Sequence, residues 1–542
     1  MSDRERSIMR FAVPAFFLLV LLVGIVAAPS YGISWDEKAM YVLGRRVYEF
    51  VFHGGSYPSH PGIRFHGSLF EFLMYSTVKM LQINYARHIF IVRHFMNYLT
   101  FVGAVAATYA IAKRHFKSTV WGLIAAVMLF LSPRQFGHAF FNSRDIPTMA
   151  LWALAMLTLF RLREHRTPWR AAQHGIACGL ALAMRMPSVF LPVFTVFMLA
   201  CDWLKDRHAG DRRANCTLIV SVAVMVVASA LAMVAFWPLL WAHPLRNFSE
   251  ALYNMAFEQN AAGGFFFGNT SGKTPWYWVP VWMVITIPLS YSLLFIAGTV
   301  IKVRRIVRQP STLFSNNGVL ILLWYFGPIM ATIVLQSPLF DEWRHVYFVY
   351  PAVIIIACTA LRSAWDWARV HFPRYGAKIV AGFIMIQMFM TATWMVVNHP
   401  YQYVYFSIPS RFVEGEFELD FWGTCFKEGY EMVLAMDDAR HIPVAVLGSS
   451  GTDNFNMLTR EQRRRVLPTA KIERGKYVID NFRGRSYERM LPDMDKIGSI
   501  YVSGMEICAL YKNPKWDQTT FDPQAEFNDE LVILAIDPNL LN

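Results

Sequence analysis

Long apolar stretches alternate with short polar loops over most of the chain. Stretches able to cross a hydrocarbon core of roughly 30 Å, which takes about 20 helical residues, fall at residues 11–28, 89–112, 119–132, 146–162, 171–184, 187–203, 217–240, 276–301, 318–336, 346–361 and 378–397. They predict a polytopic α-helical membrane protein with about 11 transmembrane helices. The first stretch reads as a retained helix, because Ala28-Pro29-Ser30 is a poor leader-cleavage site.

Two regions break the rhythm. Residues 29–88 are too apolar for a disordered linker. Within 36–51 the apolar Ala39, Met40, Leu43, Val47, Phe50 and Val51 recur at helical spacing, with Lys38, Arg45, Arg46 and Glu49 opposite. That pattern predicts an amphipathic helix lying in the membrane interface. Gly54-Gly55 and Pro58 end it, and a second amphipathic run covers about 69–81. After Val397 the pattern shortens to strand-like runs at 444–447, 477–479, 500–502 and 531–534. The chain thus divides into a membrane domain, 1–397, and a small soluble α/β domain, 398–542.

Charge orients this architecture. Basic residues collect at Arg4, Arg6 and Arg10; at Lys113, Arg114 and Lys117; at Arg161, Arg163, Arg166 and Arg170; at Lys205, Arg207, Arg212 and Arg213; at Lys302, Arg304, Arg305 and Arg308; and at Arg362, Arg369, Arg374 and Lys378. With the predicted spans all of these clusters fall on one side, so the amino terminus is expected inside and the carboxyl terminus outside. A composition 55% hydrophobic and 16% charged over 542 residues excludes an ordinary soluble enzyme. The net charge of +13 does not point to nucleic acid, because it is spread over inter-span loops. Of the six cysteines, Cys178, Cys201, Cys216 and Cys358 fall in spans or inner loops, whereas Cys425 and Cys508 share the exported tail. A disulfide between those two and a pair of free buried thiols both stay open.

The candidate chemistry lies at the outer boundary. Asp36 and Glu37 follow the first span directly, where adjacent carboxylates repel and burial raises basicity. They suit a base for a hydroxyl nucleophile or ligands for a divalent cation, and equally the start of a helix. Further outer acids are Asp145, in Asn142-Ser143-Arg144-Asp145-Ile146-Pro147, and Asp341-Glu342. Cations at the same level are Arg64, His66, Arg185, Arg344 and His345, the partners a lipid phosphate needs. Arg185 interrupts an otherwise apolar helix pair, at a depth where an unpaired charge is costly. A third outer segment, 241–275, carries the glycine-rich Ala261-Ala262-Gly263-Gly264, as a loop over a site would. No P-loop, GxGxxG, HExxH or GxSxG motif is present, which favours a donor already activated in the membrane.

Ser34-Trp35-Asp36-Glu37 after the first span, Asn142 to Pro147, Gly179-Leu180-Ala181 before Arg185, and Asp341-Glu342-Trp343-Arg344-His345 together resemble the GT-C class of integral-membrane glycosyltransferases. That group includes protein O-mannosyltransferases and the lipid A aminoarabinose transferase. The tail segments 398–406 and 417–423 are similar to bacterial members. The resemblance implies a multi-pass protein of a bacterial inner membrane, with the site and the C-terminal domain facing the periplasm. It also implies transfer of a hexosyl or pentosyl group, with inversion, from a polyprenyl-phosphate-linked donor to a glycan, lipid or protein hydroxyl. Asp36 is then the candidate general base, with Glu37 and Asp145 beside it as catalytic residues and as ligands should Mg2+ or Mn2+ take part. Arg64, His66, Arg185, Arg344 and His345 are the candidates for the donor phosphate. Where relatives often carry Pro-Pro in the first outer loop, this chain reads Arg64-Phe65-His66-Gly67-Ser68. Two rival functions are a lipid-linked saccharide flippase and a glycan ligase using a polyprenyl diphosphate donor. The sequons Asn247-Phe248-Ser249 and Asn269-Thr270-Ser271 also fall on the predicted outer face.

Overall fold

The computed structural model describes residues 3–208, 214–257, 264–271, 274–309, 317–483, 491 and 493–516. The expected strand at 531–534, the glycine-rich centre 261–263 and the basic pair Arg212 and Arg213 lie outside the described residues.

Eight helical segments among the described residues are long and apolar enough to cross a membrane: Ile8–Ser30, Ala86–Phe116, Asp145–Glu164, Met186–His208, Ala214–Phe236, Asn317–Val334, Arg344–His371 and Gly376–Val397. The other three expected stretches take different shapes. Thr119–Phe130 is followed at 66° by Pro133–Phe141; Pro133 occupies the first turn of the new helix, where its missing N–H costs nothing. Pro168–Leu182 has 15 residues, and the 276–301 stretch is split into Trp278–Thr286 and Leu289–Arg308 at Pro288.

The amphipathic helix expected from residue 36 is Glu37–His53, closed by Gly54 at φ 70, whose N–H donates to the Glu49 carbonyl. It buries Met40, Leu43 and Val47 and packs closely on Leu69–Met80: a Cβ on Gly44 would lie 2.4 Å from the Glu71 carbonyl oxygen. Leu69–Met80 is tied to the long Ala86–Phe116 helix by a buried ion pair, Glu71 to Arg93, at 2.8 Å.

All nine residues of Pro133–Phe141 are buried. This short helix docks against the turn Gln402–Val404, and Gly137 permits the approach, since a Cβ there would stand 2.6 Å from the Tyr403 nitrogen. Beyond it, five strands form a mixed sheet in the order β4-β3-β5-β7-β6, with β3 Ile442–Leu447, β4 Val466–Thr469, β5 Tyr477–Asp480, β6 Asp495–Val502 and β7 Met505–Lys512. β3 pairs in parallel with β4 and β5, and β7 is antiparallel to β5 and β6. β1 Gly264–Phe266 and β2 Asn269–Ser271 form a separate hairpin. Cys425 and Cys508 are free thiols, both buried.

The sheet region is sewn to the loop that follows the first helix. Asn454 accepts from the Ile33 N–H and donates to the Ile33 carbonyl, both at 2.8 Å. The Trp35 N–H donates to the Trp422 carbonyl at 3.1 Å, and Lys427 donates to the carbonyls of Pro29 and Ser30 at 3.1 and 2.9 Å. One hydrophobic core runs without interruption from Val20 through the bundle to Leu510.

Candidate active site

The clamped loop delivers Asp36. It precedes the helix Glu37–His53 but makes no side-chain capping bond, so its carboxylate is free to face inward. There Oδ2 lies 3.5 Å from Nη1 of Arg344. Capping of this turn falls to Glu37, which accepts from the Ser34 N–H at 2.7 Å and pairs with Nε2 of His94 at 3.1 Å.

Arg344 is the hub. Its buried guanidinium also reaches Asp145 at 3.3 Å and Asp341 at 3.2 Å, and it lies 4.9 and 4.8 Å from the ring centres of Phe340 and Trp422. Asp145 is held by Arg185 as well and accepts from the Asn142 amide at 2.9 Å, while the Asn142 side-chain oxygen takes the Asp145 N–H at 3.0 Å. The motif at 142–147 therefore both caps a helix and presents a carboxylate. Arg144 donates to Nδ1 of His66 at 2.9 Å.

A kink explains why two adjacent acids part company. Asp341 and Glu342 have φ of 50 and 66, in the left-handed region that non-glycine residues seldom occupy. Asp341 turns to Arg344 and, at 3.2 Å, to Arg483, whose guanidinium lies 4.3 Å from the Trp35 ring centre. Glu342 points the other way, to Arg134, His138 and Tyr347. Burial pushes the Asp341 carboxyl up, against the pull of Arg483 and Arg344. For Glu342 burial acts in the same direction, but Arg134 and the hydrogen bonds of His138 and Tyr347 outweigh it and hold the carboxyl below its usual range.

The structure thus brings Asp36, Asp145, Arg185 and Arg344 into one contact network, with Arg144, His66 and His345 within electrostatic reach. It does not bring in Glu37, which serves the loop, or Arg64, which lies over the Phe65 ring. Sequence reasoning assigned no role to Arg144 or Arg483. Arg144 carried a signal, its place inside the 142–147 motif; Arg483 carried none, because only the tertiary fold returns it from the sheet region.

Four guanidinium groups, of Arg144, Arg185, Arg344 and Arg483, surround three carboxylates, of Asp36, Asp145 and Asp341. Among the described residues, Nε of Arg344, Nδ1 of His345 and Nε1 of Trp35 are buried without a hydrogen-bond partner. Surplus positive charge and orphaned polar atoms suit an anionic ligand. They do not suit a divalent cation. Asp145 already faces two guanidinium groups, Glu37 is spent elsewhere, and no group of three His, Cys, Asp or Glu side chains able to hold a metal occurs among the described residues. The expectation of Mg2+ or Mn2+ on Glu37 and Asp145 does not fit this donor set.

Comparison with known proteins bears on the scaffold. A family model described as dolichyl-phosphate-mannose-protein mannosyltransferase matches residues 86–241. No curated protein sequence matches the chain. Among solved structures, the oligosaccharyltransferase of Archaeoglobus fulgidus in its apo form aligns with a TM-score of 0.51 at 12% identity, over 92% of this chain and 75% of that chain. ArnT from Cupriavidus metallidurans in the apo state aligns with a TM-score of 0.52 at 12% identity, over 95% of this chain and 99% of that chain. At such identity the likeness is one of fold, and the fold is that of the GT-C class.

Proposed function

We propose that this chain, built on the GT-C scaffold, is a membrane glycosyltransferase that moves a sugar from a polyprenyl-phosphate donor to an acceptor hydroxyl, with Asp36 as general base. The observation that carries the reading is the pairing of a partly accessible carboxylate with a fixed cationic hub. The Asp36 side chain is 18% exposed, whereas Asp145 and Arg344 are each 1% exposed. Asp36 is therefore the acid of this network that an incoming hydroxyl can reach, and Asp145 positions Arg185 and Arg344. Asp341 has the same positioning role toward Arg344 and Arg483.

In the proposed reaction the acceptor hydroxyl gives its proton to Asp36 as its oxygen bonds to the anomeric carbon. The bond from that carbon to the phosphate oxygen breaks, and its electron pair leaves on the polyprenyl phosphate. Arg344, Arg185 and Arg144 stabilise the growing charge from preset positions, and His66 and His345 border the same place. Attack opposite the leaving group inverts the configuration of a hexosyl or pentosyl unit. The family match over 86–241 supports a lipid-phosphate donor, and the basic loops support a site on the outer, periplasmic face of a bacterial inner membrane. Residues 1–397 then form the transferase domain, and 398–542 an exported domain docked onto it.

The test is sugar transfer by the protein reconstituted in liposomes with a polyprenyl-phosphate sugar. Asp36→Asn is expected to lower the rate by roughly 10²- to 10⁴-fold while donor binding persists. Loss of lipid-linked saccharide translocation in the same variant would favour a flippase, and turnover of a diphosphate donor alone would favour a ligase.

A further inference from the structure

The membrane end opposite the Asp36 network holds a second concentration of charge. The last turn of Ala86–Phe116, the C-terminal halves of Leu289–Arg308 and Tyr350–His371 and the first turn of Asn317–Val334 line a cavity of about 610 Å³. Arg114, Lys117, Lys302, Arg305 and Arg362 line it, with one carboxylate, Asp366, which Arg362 engages at 2.8 Å.

Lys302 is the informative member. It is 7% exposed, its ammonium donates to Nε2 of His115 at 3.1 Å, and among the described residues no carboxylate pairs with it, nor with Lys117 or Arg305. The positive-inside rule accounts for exposed lysines and arginines beside a span. It does not account for an ammonium sunk between helices with no anion, which is unfavourable until a counter-charge arrives. The amino-terminal turn of the 18-residue helix Asn317–Val334 adds the positive end of its dipole to the same wall.

A second cavity, of about 660 Å³, shares Phe116, Lys117 and Arg362 with the first. Its lining turns apolar along Trp121, Ile124, Trp365, Ile384 and Met385, between Thr119–Phe130, Tyr350–His371 and Gly376–Val397. A basic chamber that adjoins an apolar groove across Phe116, Lys117 and Arg362 matches a molecule with an anionic head and a hydrocarbon tail; a free phosphate would leave the groove unused.

We propose that the two cavities together bind an anionic phospholipid, its phosphate against Lys302, Arg305 and Lys117 and an acyl chain along Trp121, Ile124 and Ile384. The site is separate from the donor site and does not depend on the catalytic reading.

The full-length protein in mild detergent, mixed with phosphatidylglycerol or phosphatidylcholine and followed by native mass spectrometry and by melting, tests this. Wild type is expected to hold one phosphatidylglycerol at a concentration at least about tenfold lower than phosphatidylcholine, and inorganic phosphate is expected not to displace it. Lys302→Met combined with Arg305→Ala should erase the preference, and Lys302→Arg, which keeps the charge, should retain it with a wild-type melting curve. Equal occupancy by the two lipids in wild type, an undiminished preference in the double variant, or displacement by inorganic phosphate would each overturn the assignment.

Discussion

Replacing Arg344 by lysine keeps a positive charge but removes the planar fork that meets Asp36, Asp145 and Asp341 together. Arg344→Lys is expected to cut transfer by roughly 10²- to 10³-fold and to lower the melting temperature, since two buried carboxylates lose their shared partner. Glu342 gives a contrasting signature. Its carboxyl is held below the usual range in the folded protein, so its contribution to stability is present at neutral pH and is lost as pH falls through that depressed value. Glu342→Gln should therefore lower the melting temperature at pH 7, by the equivalent of about 3–5 kcal/mol, and the deficit should narrow in acid. Melting curves from pH 7 to pH 3 check the sign. At this scale the sequence reveals the acids and cations that abut a span, Asp36, Asp145, Arg185 and Arg344. It cannot separate Asp341 from Glu342, because their opposite directions come from a left-handed kink that neighbouring residues do not encode.

Helices that are long and uniformly apolar were legible, since length and hydropathy alone make a span. Breaks were legible in part: the stretch 119–132 ends where the bend between Thr119–Phe130 and Pro133–Phe141 falls, but the buried helix beyond it carries no such mark, because Arg134, Gln135 and His138 interrupt its apolar positions. The amphipathic helix Glu37–His53 was legible from its spacing and its Gly54 stop. The strand β4 escaped notice because its partner β3 lies outside its own stretch of sequence, and β7 was passed over although it closes a hairpin with the adjacent β6. The short buried helix Pro133–Phe141 yields a prediction of its own. Gly137→Ala would drive a methyl group to within 2.6 Å of the Tyr403 nitrogen, a contact that backbone cannot relieve cheaply, so a loss of about 1–3 kcal/mol in stability is expected. A thermal shift assay on the purified variant measures it.

On the scale of the whole molecule, the loop that carries Asp36 is held by residues hundreds of positions further along the chain. Asn454 satisfies both backbone groups of Ile33 across a separation of 421 residues. Asn454→Ala leaves them unpaired in a buried setting, at a cost of about 1–3 kcal/mol, and is expected to lower kcat more than it raises KM, because Asp36 loses its fixed approach to Arg344. Steady-state kinetics on the variant separate the two parameters. No local pattern announces this clamp, and a boundary drawn at residue 397 from composition runs between the loop and the residues that fix it. The clamp also sets a timetable. A ribosome delivers Asp36 hundreds of residues before Asn454, Lys427 and Arg483, so a nascent chain can have its early helices inserted and still hold Asp36 loosely. Asp36 is fixed only when the sheet region folds back over the loop after the first helix, so a transferase of the proposed kind stays idle until most of its chain has been made.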